Sequence, residues 1–154
     1  MATNKYLIVY HGFDSVVPRS LRAFVKTTII SEFSTFDVEL DFLAVSSYGA
    51  STTTSGTVKL IMDLRADITG RHVVLCEGVV DSGTSVSFIL DHLKSRGAAS
   101  IKVATLLDKV PCRKIQVPVD FAGWKIGSEF VVGYGMDAAE LYRNLPYVGV
   151  LQEA

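Results

Sequence analysis

Apolar residues occur along the chain in short runs that polar turns separate, a pattern typical of strands and helices in alternation. Residues 6–10 form the first apolar run, and residues 38–45 begin with apolar and acidic positions in alternation, as in a strand with one solvent-facing side. The pattern predicts further strands at 58–62, 73–76, 101–107, 130–135 and 147–151.

Between these runs, apolar residues three or four positions apart indicate amphipathic helices. The spacing predicts helices at 16–31, at about 86–97 and at 138–144. Pro111 and Pro118 bracket a predicted loop. Strands in alternation with helices predict an α/β fold with a doubly wound, mostly parallel sheet. We expect a single domain over residues 1–154, since no repeat or linker interrupts the pattern.

Composition and charge narrow the class of protein. The chain has 154 residues, is 49% hydrophobic and 20% charged, and carries a formal net charge of -1. This balance gives no indication of a nucleic-acid or membrane partner. No segment is long enough to span a bilayer, and the N-terminus has no apolar signal-peptide core, so we expect a cytoplasmic protein. Cys76, within an apolar run, is interpreted as a small buried residue.

The most promising polar residues follow the apolar run at 73–76. Glu77 and Asp81 lie four residues apart, and four small residues then lead into a predicted helix: Ser82, Gly83, Thr84 and Ser85. Backbone N–H groups at a helix start bind phosphate, and carboxylates suit sugar hydroxyls, Mg²⁺ or a proton to be moved. The stretch therefore predicts a site for a phosphorylated sugar. Taken singly, either acid could also be a solvated loop residue.

Residues 77–85, Glu-Gly-Val-Val-Asp-Ser-Gly-Thr-Ser, resemble the sugar-diphosphate motif of the type I phosphoribosyltransferases. Further stretches resemble the hypoxanthine-guanine members of that family. Residues 46–56 resemble their mobile lid, and residues 106–109 resemble their purine-reading lysine segment. Residues 130–147 resemble their base-stacking and pyrophosphate segment. The resemblance extends over residues 38–152 and is weaker over residues 6–36.

The resemblance implies a fold, an activity and a set of ligands. The fold is that of the type I phosphoribosyltransferases. The activity is transfer of ribose 5-phosphate from phosphoribosyl diphosphate to hypoxanthine or guanine, with release of pyrophosphate. Mg²⁺ is the implied cofactor, phosphoribosyl diphosphate and a purine base are the implied partners, and a homodimer or homotetramer is the implied assembly.

The resemblance also implies roles for individual residues, beyond the phosphate-binding residues 82–85. Asp81 would take or share the proton at purine N7 as the catalytic residue. Glu77 would contact the ribose hydroxyls and, with Asp137, hold Mg²⁺. Lys109 would donate to the purine 6-oxo group, and Phe130 would stack on the base.

The remaining implied contacts concern the purine edge and the pyrophosphate. The Val131 backbone would contact the purine edge, and Arg143 would bind the pyrophosphate. The lid and an early turn would contribute Ser47, Tyr48, His11 and Gly12.

Several of these residues have an ordinary structural alternative. Lys109 and Arg143 could be surface residues, and Phe130 could belong to the core. Asp137 could cap a helix that starts at Ala138.

The chain departs from the family pattern in three respects. Gly78 stands where the family has a second acid, and His11 stands where it has a lysine. The family's N-terminal elements, which help to cover the purine, are expected to be missing. We expect weaker binding of the sugar diphosphate from the loss of one carboxylate. The departures also motivate an alternative function, a weakened or inactive relative that acts as a nucleotide sensor or regulatory partner.

Overall fold

The computed structural model describes residues 6–11, 38–47, 58–139 and 141–152. Its elements, in chain order, are β1 Tyr6–His11, β2 Val38–Ser47, β3 Val58–Met62, β4 His72–Val80, α1 Thr84–Ser95, β5 Ser100–Asp108, a 3-10 helix Val110–Cys112, β6 Phe121–Lys125, β7 Val131–Val132 and β8 Gly149–Val150. Within the described ranges, no helix has the length and apolar character that a membrane span requires.

The main sheet has the strand order β3-β2-β1-β4-β5-β6. Strands β2, β1, β4, β5 and β6 run parallel, and β3 pairs antiparallel with β2 at the edge. β7 and β8 form a separate antiparallel pair. The mostly parallel α/β fold predicted from the alternation of apolar runs is therefore confirmed. In such sheets the carboxyl ends of neighbouring strands meet at one edge, where ligands commonly bind.

One face of the sheet is covered by α1. Ile89 and Leu93 of this helix are fully buried against Leu7, Leu75 and other strand residues. The predicted helical spacing of apolar residues is thus confirmed for the segment that follows β4. Only residues 81–83 separate β4 from α1, so the N-terminus of the helix lies close to the end of the strand.

The other face of the sheet is covered by residues from the C-terminal segment. Cys76 and Leu106 pack there together with Ile126, Val131 and Met136. Burial, together with the nearby charge of the Glu77 carboxylate, raises the pKa of the Cys76 thiol. The thiol therefore stays protonated, which agrees with its interpretation as a small buried residue. This packing brings the C-terminal segment to the ends of β4 and β5.

The helix predicted at 138–144 is wrong over the residues that are described there. Ala138 and Leu141 instead form an antiparallel bridge. Ala139 and Tyr142 have φ values of 49° and 73°, which a right-handed helix does not contain. The backbone groups that would close helical turns are used in pairing across this short loop.

The strand predicted at 130–135 is shorter than expected. Only β7 is extended there, since Gly133, Tyr134 and Gly135 have positive φ values. A Cβ atom at Gly133 would lie 2.2 Å from the carbonyl oxygen of Tyr147, so the chain approaches itself too closely for a side chain. The predicted last strand is likewise reduced to β8.

β6 was not predicted, and it lies beyond the loop expected between Pro111 and Pro118. The helix expected at 16–31 falls outside the described residues, as does most of the loop expected at 46–56. The backbone of Ser46 and Ser47 belongs to β2.

An anchor at Asp63 joins the C-terminal end of α1 to the segment after β3. Its Oδ1 atom lies 2.8 Å from Nε2 of His92 and 2.8 Å from Nη1 of Arg96. The Arg96 guanidinium also donates to the carbonyl groups of Leu64 and Ala66, at 3.2 and 3.0 Å. Burial raises the pKa of the Asp63 carboxyl, but hydrogen bonds from His92 and the Leu64 amide and the nearby positive charges outweigh it, so the pKa is lowered overall.

This lowered pKa predicts a pH dependence of stability. The Asp63 carboxylate contributes stability that is fully present above the pKa of the unfolded chain and is lost as the pH falls through the lower folded-state pKa. Asp63→Asn should therefore lower the urea midpoint of unfolding at about pH 7, and the difference from wild type should shrink at about pH 3. Urea unfolding followed by circular dichroism measures both values.

Asp91→Asn is the matched control, since its carboxylate has an exposed contact with Lys94 at 3.4 Å. It should change the midpoint less than Asp63→Asn at about pH 7. A difference between Asp63→Asn and wild type that stays constant with pH would contradict the role assigned to the carboxylate.

Candidate active site

An open cleft of about 310 Å³ lies where β4 and β5 end. It is lined by Glu77, Gly78, Val79, Asp81, Lys109, Phe130, Val131, Met136, Asp137 and Arg143. Side chains from three separate parts of the sequence thus meet in one cleft, and most of them are predicted site residues. A cleft of this size can take a small ligand such as a purine base.

The parallel pairing of β4 with β5 positions the inner wall of the cleft. Glu77 pairs with Thr105, and Val80 pairs with Asp108 at the strand ends. Glu77 and Gly78 lie within β4, whereas the sequence led us to expect the acids in the following loop. Glu77 is 5% exposed, so it is a buried wall residue of the cleft. Its interpretation as a solvated loop acid is therefore wrong.

Asp81 and Lys109 each follow the end of a strand and contact one another. The Nζ atom of Lys109 lies 2.8 Å from Oδ2 of Asp81. The lysine side chain is 8% exposed and that of Asp81 is 52% exposed. The alternative that Lys109 is a surface residue is therefore wrong, because its ammonium group is buried with Asp81 as its partner. A cationic donor and an anionic acceptor thus lie side by side at the cleft.

The loop that leads from Asp81 into α1 adjoins the cleft. Gly83 occupies the N-cap position with a φ of 84° and offers no capping side chain. The Oγ atom of Ser82 lies 3.1 Å from Oγ1 of Thr84. The N–H groups in the first turn of a helix have no partner inside the helix, so this loop and Ser85 can present donors to an anion. Residues 82–85 lie next to the cleft lining and outside it.

The opposite wall comes from the hairpin-like C-terminal segment. The Gly135 amide donates to the Arg143 carbonyl group at 3.0 Å, and Nη1 of Arg143 donates back to the Gly135 carbonyl group at 3.1 Å. Nη2 of Arg143 lies 3.1 Å from Oδ1 of Asp137. This charge pair faces the cleft, so a free surface position for Arg143 is wrong. Asp137 is not a helix cap either, since no helix begins at Ala138 in the described structure.

Phe130 lines the cleft and is 54% exposed. An aromatic ring this exposed is not a core residue, so the structural alternative for Phe130 is wrong. Val131, its neighbour in β7, is partly buried. The ring face is available to stack on a planar ligand.

Four predicted positions are described only in part or not at all. His11 is the last residue of β1, where its backbone pairs with Leu43, and Ser47 is the last residue of β2. The structure does not describe their side chains. Gly12 and Tyr48 lie outside the described residues.

The cleft lining contains the carboxylates of Glu77, Asp81 and Asp137, and the sequence predicts Glu77 and Asp137 as the Mg²⁺ ligands. Within the described part of the chain, no group of three or more histidine, cysteine or acidic residues lies close enough to hold a metal by itself. Mg²⁺ commonly binds through one or two carboxylates together with substrate phosphates. The Glu77 and Asp137 carboxylates line the same cleft, so they fit a cation that arrives with a diphosphate.

Two charged residues behind the loop were missed by the sequence predictions. Asp108 and Arg113 form a salt bridge, with side chains 6% and 5% exposed. Nη1 of Arg113 also donates to the Asp81 carbonyl group at 2.6 Å. One sequence pattern could have indicated this pair: an acid ends an apolar strand, and a basic residue follows five positions later.

Comparison with known proteins places this geometry in a family. The sequence family model of the phosphoribosyl transferase domain matches residues 24–139. The hypoxanthine-guanine phosphoribosyltransferase of Bacillus subtilis is 48% identical over 126 residues, which is 82% of this chain and 69% of that protein. The bifunctional protein TilS/HprT of Listeria monocytogenes is 47% identical over 145 residues, or 93% of this chain. The chain spans only 22% of the length of that bifunctional relative.

A solved structure gives the same result for the fold. The crystal structure of a hypoxanthine phosphoribosyltransferase from Staphylococcus aureus is 36% identical and superposes with a TM-score of 0.81, covering 97% of this chain and 77% of that chain. The type I phosphoribosyltransferase fold expected from the sequence is therefore confirmed. By sequence and by structure, the chain belongs to the phosphoribosyl transferase family.

Proposed function

We propose that the chain transfers ribose 5-phosphate from phosphoribosyl diphosphate to hypoxanthine or guanine. The products of this purine salvage reaction would be inosine or guanosine monophosphate and pyrophosphate. The observation that carries the proposal is the contact of Lys109 with Asp81 at 2.8 Å in a cleft that Phe130 and Arg143 also line. The relatives with hypoxanthine-guanine names support the same substrate class.

The Lys109–Asp81 pair matches the edge of a 6-oxopurine. That edge carries an oxygen acceptor at position 6 beside a nitrogen at position 7 that bears a proton in one tautomer. The lysine ammonium is a donor with no acceptor capacity, so it favours a 6-oxo group over a 6-amino group. The Asp81 carboxylate is an acceptor for the neighbouring N–H group. Phe130 offers its ring face to the plane of the base.

The sugar phosphate would occupy the other end of the cleft. The amides and hydroxyls of residues 82–85 suit the 5-phosphate, and the positive end of the α1 dipole adds to that attraction. Glu77 lines the cleft, and its carboxylate would suit ribose hydroxyls.

The proposed reaction is a displacement at the C1 carbon of the sugar. Purine N9 bonds to C1 as the bond from C1 to the pyrophosphate oxygen breaks, and the N7 proton passes to the Asp81 carboxylate. Arg143 would bind the departing pyrophosphate, whose growing negative charge it offsets. Mg²⁺, held with the diphosphate by Glu77 and Asp137, would offset part of the same charge.

Several predictions from the sequence belong to this proposal without a described contact. Ser47 and Tyr48 would close over the cleft and exclude water from the cation-like sugar. His11 and Gly12 would contact the pyrophosphate. A cytoplasmic location and assembly as a homodimer or homotetramer also stay predictions. No described contact favours the alternative of a sensor without turnover.

The proposal predicts formation of inosine monophosphate from hypoxanthine, phosphoribosyl diphosphate and Mg²⁺ by the purified chain. Asp81→Asn should lower kcat by about 10²- to 10⁴-fold, the range for loss of a general acid or base. Adenine should be a poor substrate, because Lys109 has no acceptor for a 6-amino group. A spectrophotometric assay of nucleotide formation measures all three expectations.

Asp91→Asn, an exposed substitution on α1, is the matched control and should keep wild-type activity. No product at high enzyme concentration would overturn the proposed activity. Tight binding of inosine monophosphate in calorimetry, with no turnover, would support the sensor in its place.

Gly78 lines the cleft beside Glu77, at the position of a second acid in the family pattern. Gly78→Asp should lower KM for phosphoribosyl diphosphate by about tenfold, the effect of one additional charge-assisted contact. Steady-state kinetics at several Mg²⁺ concentrations measures this change.

Gly78→Ala is the control that distinguishes the effect of the added carboxylate from the effect of the added Cβ atom. It should leave KM for phosphoribosyl diphosphate unchanged or raise it. Equal values of KM in both variants and wild type would mean that the missing carboxylate does not limit binding.

A further inference from the structure

We infer that Arg113, held by Asp108, is a positioning residue that fixes Asp81 and the phosphate-binding loop. The inference rests on the proposed function for the loop's catalytic role. Residues 108–115 are called the clamp segment below, and residues 81–85 the phosphate loop. Arg113 is outside the lining of the cleft and its side chain is 5% exposed, so it acts on the substrate through the loop and not by direct contact.

The clamp segment binds three consecutive carbonyl groups at the start of the phosphate loop. The Lys109 amide donates to the Val80 carbonyl group at 3.0 Å. Arg113 donates to the Asp81 carbonyl group at 2.6 Å. The amides of residues 114 and 115 both donate to the Ser82 carbonyl group, at 2.9 and 3.0 Å. With its carbonyl groups held on the clamp side, the loop is fixed in a single orientation relative to the cleft.

Close packing at Gly83 reinforces this arrangement. A Cβ atom at Gly83 would lie 2.2 Å from the Ile115 carbonyl oxygen and 3.1 Å from Cδ of Arg113. The loop and the clamp segment therefore touch without space for a side chain between them. A shift of the Arg113 side chain would move the loop with it.

Asp108 holds the Arg113 guanidinium in place. Its carboxylate accepts from Nη2, which leaves Nη1 directed at the Asp81 carbonyl group. One planar guanidinium thus spans the end of β5 and the loop after β4, a geometry that the single ammonium of lysine cannot reproduce. The Asp81 carboxylate is thereby set beside Lys109, where the proton transfer proposed above requires it.

A buried ion pair is by itself weak evidence of stabilisation. The experiment must therefore separate an effect on the position of the loop from an effect on the stability of the fold. The double variant Asp108→Leu/Arg113→Met replaces the pair with apolar side chains and removes the contact with the Asp81 carbonyl group. Its urea midpoint should remain close to wild type, since no buried charge is left unpaired. KM for phosphoribosyl diphosphate should nevertheless rise about tenfold, the result expected if the loop without Arg113 occupies its binding orientation about a tenth of the time.

Amide hydrogen exchange provides a readout that does not depend on activity. In the double variant, exchange of the Lys114 and Ile115 amides, which donate to the Ser82 carbonyl group, should be faster by about tenfold, while exchange in β4 should be unchanged. Exchange at these two amides is called loop exchange below. If the wild-type chain makes no nucleotide, the proposed function fails, and the exchange measurement still decides whether Arg113 fixes the loop.

The pair of Asp63 with Arg96 is the matched control, because it also holds backbone carbonyl groups but lies at the opposite end of α1. Asp63→Leu/Arg96→Met should leave both KM and loop exchange as in wild type. The same loop effect in this variant would mean that general loosening, and not Arg113, is responsible.

Wild-type KM and wild-type loop exchange in the folded Asp108→Leu/Arg113→Met variant would overturn the inference. If that variant does not fold, Arg113→Lys decides in its place, because lysine keeps the positive charge beside Asp108 but cannot also reach the Asp81 carbonyl group. It should show the raised KM, and a wild-type KM would overturn the inference equally.

Discussion

The parallel pairing of β4 with β5 is the constraint on which the site depends. Val80 and Asp108 are paired at the strand ends, so the residues that follow them, Asp81 and Lys109, are brought side by side. The same register places the clamp segment behind the phosphate loop. A change in register by one residue would send these side chains to opposite faces of the sheet. The register of β4 with β5 therefore determines the geometry of the candidate site.

A ligand that binds to the charged side chains of the cleft must replace contacts within two charge pairs. Lys109 is paired with Asp81 on one wall, and Arg143 is paired with Asp137 on the other. A purine would take up hydrogen bonds from the first pair, and a diphosphate would take up the charge of the second. The free energy of binding is the difference between the free energy gained from the new contacts and the free energy of the contacts that are lost. Under the proposed function, the cleft would bind two ligands of different charge, and the two charge pairs would keep the side chains oriented before binding.

The sequence predicted much of this arrangement, and the reasons are physical. Apolar runs define buried strands, so the acids that follow the run at 73–76 could be assigned to a site. Lys109 was assigned to it only through the resemblance to the family, because a single lysine after a strand is no pattern by itself. The contact of Arg113 with the Asp81 carbonyl group could not be predicted, because it joins a side chain to the backbone of another loop. Glu77 was misplaced for a different reason, because a buried acid interrupts the apolar run that marks a strand.

The C-terminal segment shows the limit of periodicity most clearly. Apolar spacing at 138–144 is compatible with a helix, but pairing between Ala138 and Leu141 and positive φ at Tyr142 exclude one.

β6 was missed because all of its residues are exposed, so it has no buried alternation to detect. Gly123 lets its backbone approach β5, where a Cβ atom would lie 2.7 Å from the Leu106 carbonyl oxygen.

A crystal structure of the chain with inosine monophosphate is the most direct test of the assigned site. The purine 6-oxo group should lie about 3 Å from Nζ of Lys109, and N7 should lie about 3 Å from the Asp81 carboxylate. The 5-phosphate should contact the amides of residues 82–85. A nucleotide bound elsewhere, or with its phosphate between Lys109 and Asp81, would contradict the assignment of base and phosphate sites.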